Sequence, residues 1–401
     1  MYRIQSFSAL RRLFSIFVIV LFATVSRPPA AMAETSEPIN EAENSVPVAH
    51  GRTLTVECDQ GHSINNALGE AVAGDTIIIR GTCHEQVTIT TDRLTLDGQG
   101  DATIDGQASV CDLGPFEETN TGQLEIDGAQ GVVVTGIKIQ GSPVDGIYVR
   151  NSAAVKIRDT HVRDSCDDGI QSDQSAVTLE NSSFNENQES GFNLFDNSSL
   201  ILRMGSSQFN DNGRQGLQIW DSVASVHGGA MLEAQGNGSF GITALAQGQV
   251  VAYTASRITV TENGKNGIIL INAGLTATYA EIIVTDNGGN AEEDNSGITL
   301  VDAATSSFVG GTLTLEDNQP VGLLADNATM SMRLIDPPST VSIVNNGLVD
   351  VFLRFGSRAT LLGMIGSIDC DDTVLSQGTT QCPGAPVAQT PPSRLSGSSV
   401  R

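Results

Sequence analysis

The stretch Asn187-Gln188-Glu189-Ser190-Gly191-Phe192-Asn193-Leu194 is followed 25 residues later by Asn212-Gly213-Arg214-Gln215-Gly216-Leu217-Gln218-Ile219. After 25 more comes Asn237-Gly238-Ser239-Phe240-Gly241-Ile242-Thr243-Ala244. Working outward, the Gly-apolar pair recurs at Gly146-Ile147, Gly169-Ile170, Gly267-Ile268, Gly297-Ile298, Gly322-Leu323 and Gly347-Leu348. The nine pairs are spaced by 23, 22, 25, 25, 26, 30, 25 and 25 residues. An Asn stands four residues before the Gly at 187, 212, 237, 263 and 318. Between the pairs lie short alternating runs such as Val155-Lys156-Ile157 and His161-Val162-Arg163. A fixed period of this size is the mark of a solenoid, each unit burying its apolar side on its neighbours.

The units are β-branched and rich in Asn and Gly, with no amphipathic helix in any of them, which sets aside a leucine-rich repeat. Three short strands and three turns per unit make a parallel β-helix coil. The recurring Asn suits a buried stack in which each side-chain amide bonds the next. The Gly is expected to supply a backbone conformation of positive φ ahead of the strand. Three coils before Gly146 and nine after it give about twelve, in one domain over 52–382.

The segment Ser63-Ile64-Asn65-Asn66-Ala67-Leu68, then Gly74-Asp75-Thr76-Ile77-Ile78-Ile79, Glu85-Gln86-Val87-Thr88-Ile89 and Leu94-Thr95-Leu96-Asp97-Gly98 resembles the opening coil of right-handed β-helix proteins of the pectin-lyase-like superfamily. The resemblance covers roughly 53–368. It implies a right-handed helix of strands, capped at its open end by a short α-helix at about 63–72. It implies little about activity, because the superfamily holds lyases, hydrolases, epimerases, adhesins and non-catalytic modules.

Residues 1–33 read as a cleavable signal peptide: Arg3, Arg11 and Arg12, an apolar run from Leu13 to Val25, then Ala31-Met32-Ala33. A disordered acidic leader is expected over 34–51 and a Pro/Ser/Gly-rich tail over 383–401. The expected location is therefore secreted or periplasmic. Without residues 1–33, 17 basic residues face 46 acidic ones, a net charge of −29. Such a surface repels phosphate backbones, which excludes nucleic acid as a partner. Cys58, Cys83, Cys111, Cys166, Cys370 and Cys382 are read as disulfides. Cys58 and Cys83 lie one coil apart; bonding them closes a loop worth roughly 3–4 kcal/mol. Cys111, on a long excursion, should meet Cys166, and Cys370 should meet Cys382.

After each Gly the strand alternates, so the first and third residues point inward and the second and fourth outward. The outward set includes Tyr148, Arg150, Gln171, Asp173, Asn193, Phe195, Gln218 and Trp220, the last being the only Trp in the chain. Aromatic rings between amides and charges suit a sugar chain, because rings cover the apolar C–H faces of pyranoses. Tyr148, Asn193, Phe195, Arg214, Gln218 and Trp220 are the candidate polysaccharide contacts. The turn before the Gly carries Asp145, Asp164, Asp167, Asp168, Glu189 and Arg214. Asp164, Asp167 and Asp168 are candidate Ca²⁺ ligands. Asp167, Asp168 and Asp173, with Arg150 to neutralise a uronate, are candidate catalytic groups. Asp167-Asp168 resembles the Asp-Asp of polygalacturonase-type hydrolases, although the Asn-Thr-Asp, Gly-His-Gly and Arg-Ile-Lys of that pattern are missing. Arg150, Lys156, Arg158, His161 and Arg163 form an expected basic patch, and His62, His84 and His227 an unremarkable surface set. Ile269, Ile271, Val301 and Leu324 continue the outer face as an apolar stripe, covered by the C-terminal segment or by a protein partner. Polysaccharide binding, polysaccharide lyase, hydrolase or epimerase activity, and an adhesin or envelope scaffold are the functions left open.

Overall fold

The computed structural model describes residues 51–111, 120–289, 295–335 and 339–371. The signal peptide, leader and tail expected from sequence, and Cys382, lie outside these residues. The chain winds as an all-β, right-handed parallel β-helix of about twelve coils. One sheet of twelve strands contains the strand that follows each Gly, and the remaining strands stack coil on coil into a larger sheet. Register is strict: Ile147, Ile170, Phe192, Leu217, Ile242, Ile268, Ile298 and Leu323 align strand to strand. All of these side chains are buried. Ile64 closes the N-terminal end from a helix spanning Ile64–Glu70, whose N-cap Ser63 accepts a bond from Asn66 N. Glu85 sits at the same helix terminus, its carboxylate accepting from Ser63 Oγ and Ile64 N.

The asparagines form a continuous ladder. Nδ2 of each donates to Oδ1 of the next through Asn187, Asn212, Asn237, Asn263, Asn287, Asn318 and Asn346, at 2.8–3.0 Å. Asn287 joins despite standing ten residues before Gly297, because the excursion that separates them is inserted after the ladder turn. Buried amides thereby satisfy one another where water cannot reach.

The glycines have a different cause from the one expected. None of Gly146, Gly169, Gly191, Gly216, Gly241, Gly267, Gly297 or Gly322 has positive φ. A Cβ on Gly191 would lie 2.7 Å from the Gly216 carbonyl oxygen and 2.8 Å from Asn212 Nδ2. The glycine is there because the next coil's ladder occupies the space. The left-handed turn comes five residues later, at Asn151, Gln174, Asp196, Asp221, Ala246, Asn272, Asp302 and Asn327, mostly Asn and Asp, which tolerate it best.

Gly347-Leu348 is not an equivalent pair. Val321 aligns with Val349 and Leu323 with Val351, so Asp350 takes the glycine's place and Leu348 is 85% exposed in the turn. The coil after it contributes no asparagine. The space a Cβ would collide with elsewhere is free here, and the Asp350 carboxylate fills it. Asp350 Oδ1 accepts from Asn346 N and Nδ2, at 2.9 and 3.0 Å, ending the ladder.

Candidate functional site

The turn that enters each strand of the twelve-stranded sheet stacks like the strand itself. Asp145 and Asp168 each stand two residues ahead of the register partners Ile147 and Ile170, so they occupy the same place on adjacent coils, a strand spacing of about 4.8 Å apart. Asp168 N donates to Asp145 Oδ1 at 3.1 Å, and Ser190 N, one coil on, donates to Asp168 Oδ1 at 2.7 Å. Asp168 Oδ2 accepts from Asn193 Nδ2 at 2.9 Å. Asp167 is the neighbour in sequence, and one carboxylate oxygen from each of the three lies within 4.8 Å of the others. All three are buried, Asp145 completely. The preceding residue, Cys166, is bonded to Cys111, which pins this turn to the 105–122 excursion.

Burial, and next the neighbouring Asp167, push the Asp168 carboxyl up to about 7, against the pull of the Asn193 and Ser190 bonds. Asp173, half-buried, is raised first by burial and then by Asp196, while Arg150 opposes the shift. One Asp173 carboxylate oxygen is buried without a hydrogen-bond partner.

The outward residues fall into two rows. The row nearer the turn runs Glu125, Tyr148, Gln171, Asn193, Gln218, Thr243, Ile269, Thr299, Leu324, Phe352. Contrary to the expectation of an open face, Tyr148, Gln171, Asn193, Thr243, Thr299 and Leu324 in it are buried. Alternation decides which side of a strand a residue occupies, but not whether something covers that side. Burial raises the Tyr148 phenol above its ordinary value, assisted by Asp173. The farther row runs Asp127, Arg150, Asp173, Phe195, Trp220, Leu245, Ile271, Val301, Asp326, Arg354. It stays accessible: Trp220 is 44% exposed, and Phe195, Leu245, Ile271 and Val301 are half-exposed. Its polar ends are ion-paired, Arg150 to Asp127 (2.7 Å) and Glu125 (3.2 Å), Arg354 to Asp326 (3.2 Å).

The sequence-derived sites are therefore rearranged. Asp167 and Asp168 are together, but their third partner is Asp145. Asp164 is exposed, in a left-handed turn, 3.4 Å from Arg163. Chain proximity favoured Asp164; stacking of the coils brings in Asp145, 23 residues away from Asp168. Arg214 pairs with Glu189 at 2.6 Å. The basic patch divides, because Arg150 lies in the twelve-stranded sheet while Lys156, Arg158, His161 and Arg163 lie in the larger one. Lys156 pairs there with Glu180, and Arg158 bonds Thr135. The apolar stripe also splits: Ile271 and Val301 continue the accessible row of Phe195 and Trp220, while Ile269 and the buried Leu324 belong to the other. The expected disulfides Cys58–Cys83, one coil apart, and Cys111–Cys166, between the excursion and the rim, both form.

These features define a right-handed parallel β-helix protein. A family described as "Right handed beta helix region" matches residues 71–229. The chain is similar in structure to the A-module of an Azotobacter vinelandii mannuronan C-5 epimerase, at 13% identity and a TM-score of 0.49, over 77% of this chain and 84% of that one. It is similar to an alginate lyase from Paenibacillus sp. at 12% identity and a TM-score of 0.40, over 69% and 99%. A pectate lyase shares 13% identity at a TM-score of 0.38, over 85% and 83%. No curated protein matches the sequence. Among the described residues no helix is long and apolar enough to cross a membrane.

Proposed function

We propose that this chain is an exported, secreted or periplasmic protein that binds an extracellular or cell-envelope polysaccharide along the accessible row of the twelve-stranded sheet. The observation that carries the reading is the pair Phe195 and Trp220, on adjacent coils, both outside the core and exposed in part. Coils spaced by about 4.8 Å let the two rings meet neighbouring parts of one sugar chain. The half-buried Gln218 offers an amide to hydroxyls beside them, and Asp173 and Arg150, the latter ion-paired to Asp127 and Glu125, bound the aromatic stretch on one side. Tyr148 and Asn193, buried in the adjacent row of the same side, flank this row rather than touching the ligand.

The test is Trp220 fluorescence titrated with a panel of acidic and neutral polysaccharides. A sugar–aromatic contact is worth on the order of 1–2 kcal/mol, so Trp220→Ala should weaken binding about tenfold and leave the fold intact. A silent titration across the whole panel, with folded protein, sinks the reading in favour of an adhesin or scaffold.

One observation favours a second reading, turnover of the same ligand. Asp173 is half-buried with a raised pKa, in register with Arg150, the pairing an acid/base group beside a uronate binder requires. Asp167 and Asp168 fit that role less well, being buried, with both oxygens of Asp168 engaged. Product analysis over the same panel distinguishes the two readings. Asp173→Asn should abolish turnover if there is any, and otherwise alter affinity only modestly.

A further inference from the structure

We propose that the Asn-Gly steps of the asparagine ladder are deamidation sites which the fold holds inert, so that a chain that unfolds is marked covalently and does not regain its ladder. The proposal is independent of the polysaccharide reading. Five of the seven rungs, Asn212, Asn237, Asn263, Asn287 and Asn346, are followed by glycine, and the one other Asn-Gly step of the chain is Asn266-Gly267. The fold itself asks for these glycines. A Cβ on Gly213, Gly238 or Gly264 would run into the carbonyl oxygen of Gln188, Gly213 or Gly238 on the coil before, and one on Gly288 into that of Gln319 on the coil after. Close stacking of the ladder turn therefore selects the dipeptide in which an asparagine is least shielded from its own backbone, because glycine has no side chain to hinder the approach.

The reaction needs only water. The glycine nitrogen attacks the asparagine Cγ and forms a C–N bond. The Cγ–Nδ2 bond breaks, and Nδ2 leaves as ammonia with the proton of the attacking amide. Water then opens the cyclic imide to aspartate or isoaspartate. In the folded chain both reacting atoms are engaged. The nitrogens of Gly213, Gly238, Gly264, Gly288 and Gly347 donate to the carbonyl oxygens of Asn187, Asn212, Asn237, Asn263 and Asn318, one coil back, at 2.8–3.0 Å. Nδ2 of Asn212 is held by Phe184 O and Asn237 Oδ1, and that of Asn346 by Leu315 O, Val344 O and Asp350 Oδ1. All five asparagines are at most 7% exposed, which keeps water out. The same contacts reject the product. Deamidation puts an oxygen where Nδ2 was, facing carbonyl and carboxylate oxygens, and buries a charge there. Isoaspartate also lengthens the backbone by one carbon, which displaces the rest of the coil from its register.

The test uses the whole chain with disulfides intact, incubated in mildly alkaline buffer made with heavy-oxygen water, with and without guanidinium chloride. Peptide mapping by mass spectrometry then counts only events that occurred during the incubation. In denaturant the five rungs should be labelled at rates within about threefold of one another. In native buffer labelling should be at least about a hundredfold slower, because the turn must open first. Asn346, the last rung, with a ladder asparagine on one side only, should lead there. Native rates within about threefold of the denatured ones overturn the protection, and an interior rung leading in native buffer overturns the ladder as its source. The marked chains, separated on an anion exchanger by their added carboxylate and returned to native buffer, should melt at least about 5 °C below unmarked ones. Chains held equally long in denaturant at mildly acidic pH, where the glycine amide does not ionise, should regain the full melt. Marked chains that melt like unmarked ones, or acid-held chains that fail to recover, overturn the claim that the mark prevents recovery.

Discussion

Two buried aspartates, Asp168 near the N-terminal end of the helix and Asp350 near its C-terminal end, stand one position apart on the same turn of the repeat, yet their acidities move in opposite directions. Burial acts against the charge of both. At Asp350 it is outweighed by bonds from Asn346 N, Ser367 N, Asn346 Nδ2 and Ser367 Oγ, and the carboxyl is held below its ordinary value. At Asp168 the bonds from Asn193 and Ser190 are outweighed by burial and a second carboxylate, and the group rises to about 7. The lesson is that the repeat sets where an acid sits, while the count of donors and like charges around it sets what it does. Asp350 is built to be charged and closes a ladder. Asp168 is placed where burial and a second carboxylate work against its charge.

The largest expected effect lies at the ladder end. Asp350→Ala strands four donors, each costing about 1–3 kcal/mol if left buried and unpaired. Allowing for water entry at the final coils, urea denaturation at pH 7 should show a loss of about 3 kcal/mol, with faster amide exchange at 340–354. A loss below about 1 kcal/mol would mean the ladder needs no terminal acceptor.

The pH dependence separates the two acids next. Asp350 is depressed when folded, so its contribution is present above the ordinary carboxylate range and vanishes as pH falls through its folded pKa. Asp168 is raised, so its contribution is complete below the ordinary carboxylate pKa and declines as pH rises through about 7. In metal-free buffer, stability should therefore fall on the order of 2 kcal/mol between pH 5 and 8. Asp168→Asn should flatten that slope, since the new amide can donate to Asn193 once that side chain turns. A slope that survives the substitution assigns it to another group.

In the middle of the ladder, Gly191→Ala should cost about 2 kcal/mol, because its Cβ would meet the Gly216 carbonyl oxygen at 2.7 Å. At Asp350, by contrast, a Cβ is already accommodated. Thermal melts of both variants compare a sterically blocked repeat position with an open one. The smallest effect belongs to Asp164→Ala, an exposed acid on the same turn whose pairing with Arg163 should contribute no more than about 0.5 kcal/mol.

Much of this was legible in the chain itself. The spacing of the glycines fixes the coil, alternation names the inward residues, and Cys58 with Cys83, one coil apart, identifies its own pairing. These are local signals: each depends on residues within one repeat or on two adjacent repeats of known length. The ladder was visible at five asparagines and hidden at Asn287 and Asn346, where an excursion or a shifted turn breaks the count from the glycine.

The site was legible only in part, for a physical reason. Sequence reads along the chain, and it put Asp164 with Asp167 and Asp168 because the three are neighbours there. Parallel stacking joins residues one coil apart, and that contact, decided by register, exchanges Asp164 for Asp145. Sequence likewise assigned Tyr148 and Asn193 to the outer side of their strands, but only the packed structure decides that this row is covered while Phe195 and Trp220 remain in solvent. The period, the core and the two disulfides follow from residue order alone. Which carboxylates share a buried turn, and which aromatic rings stay exposed, follow from how coils lie on one another, because desolvation and like-charge repulsion depend on distance in space and not along the chain.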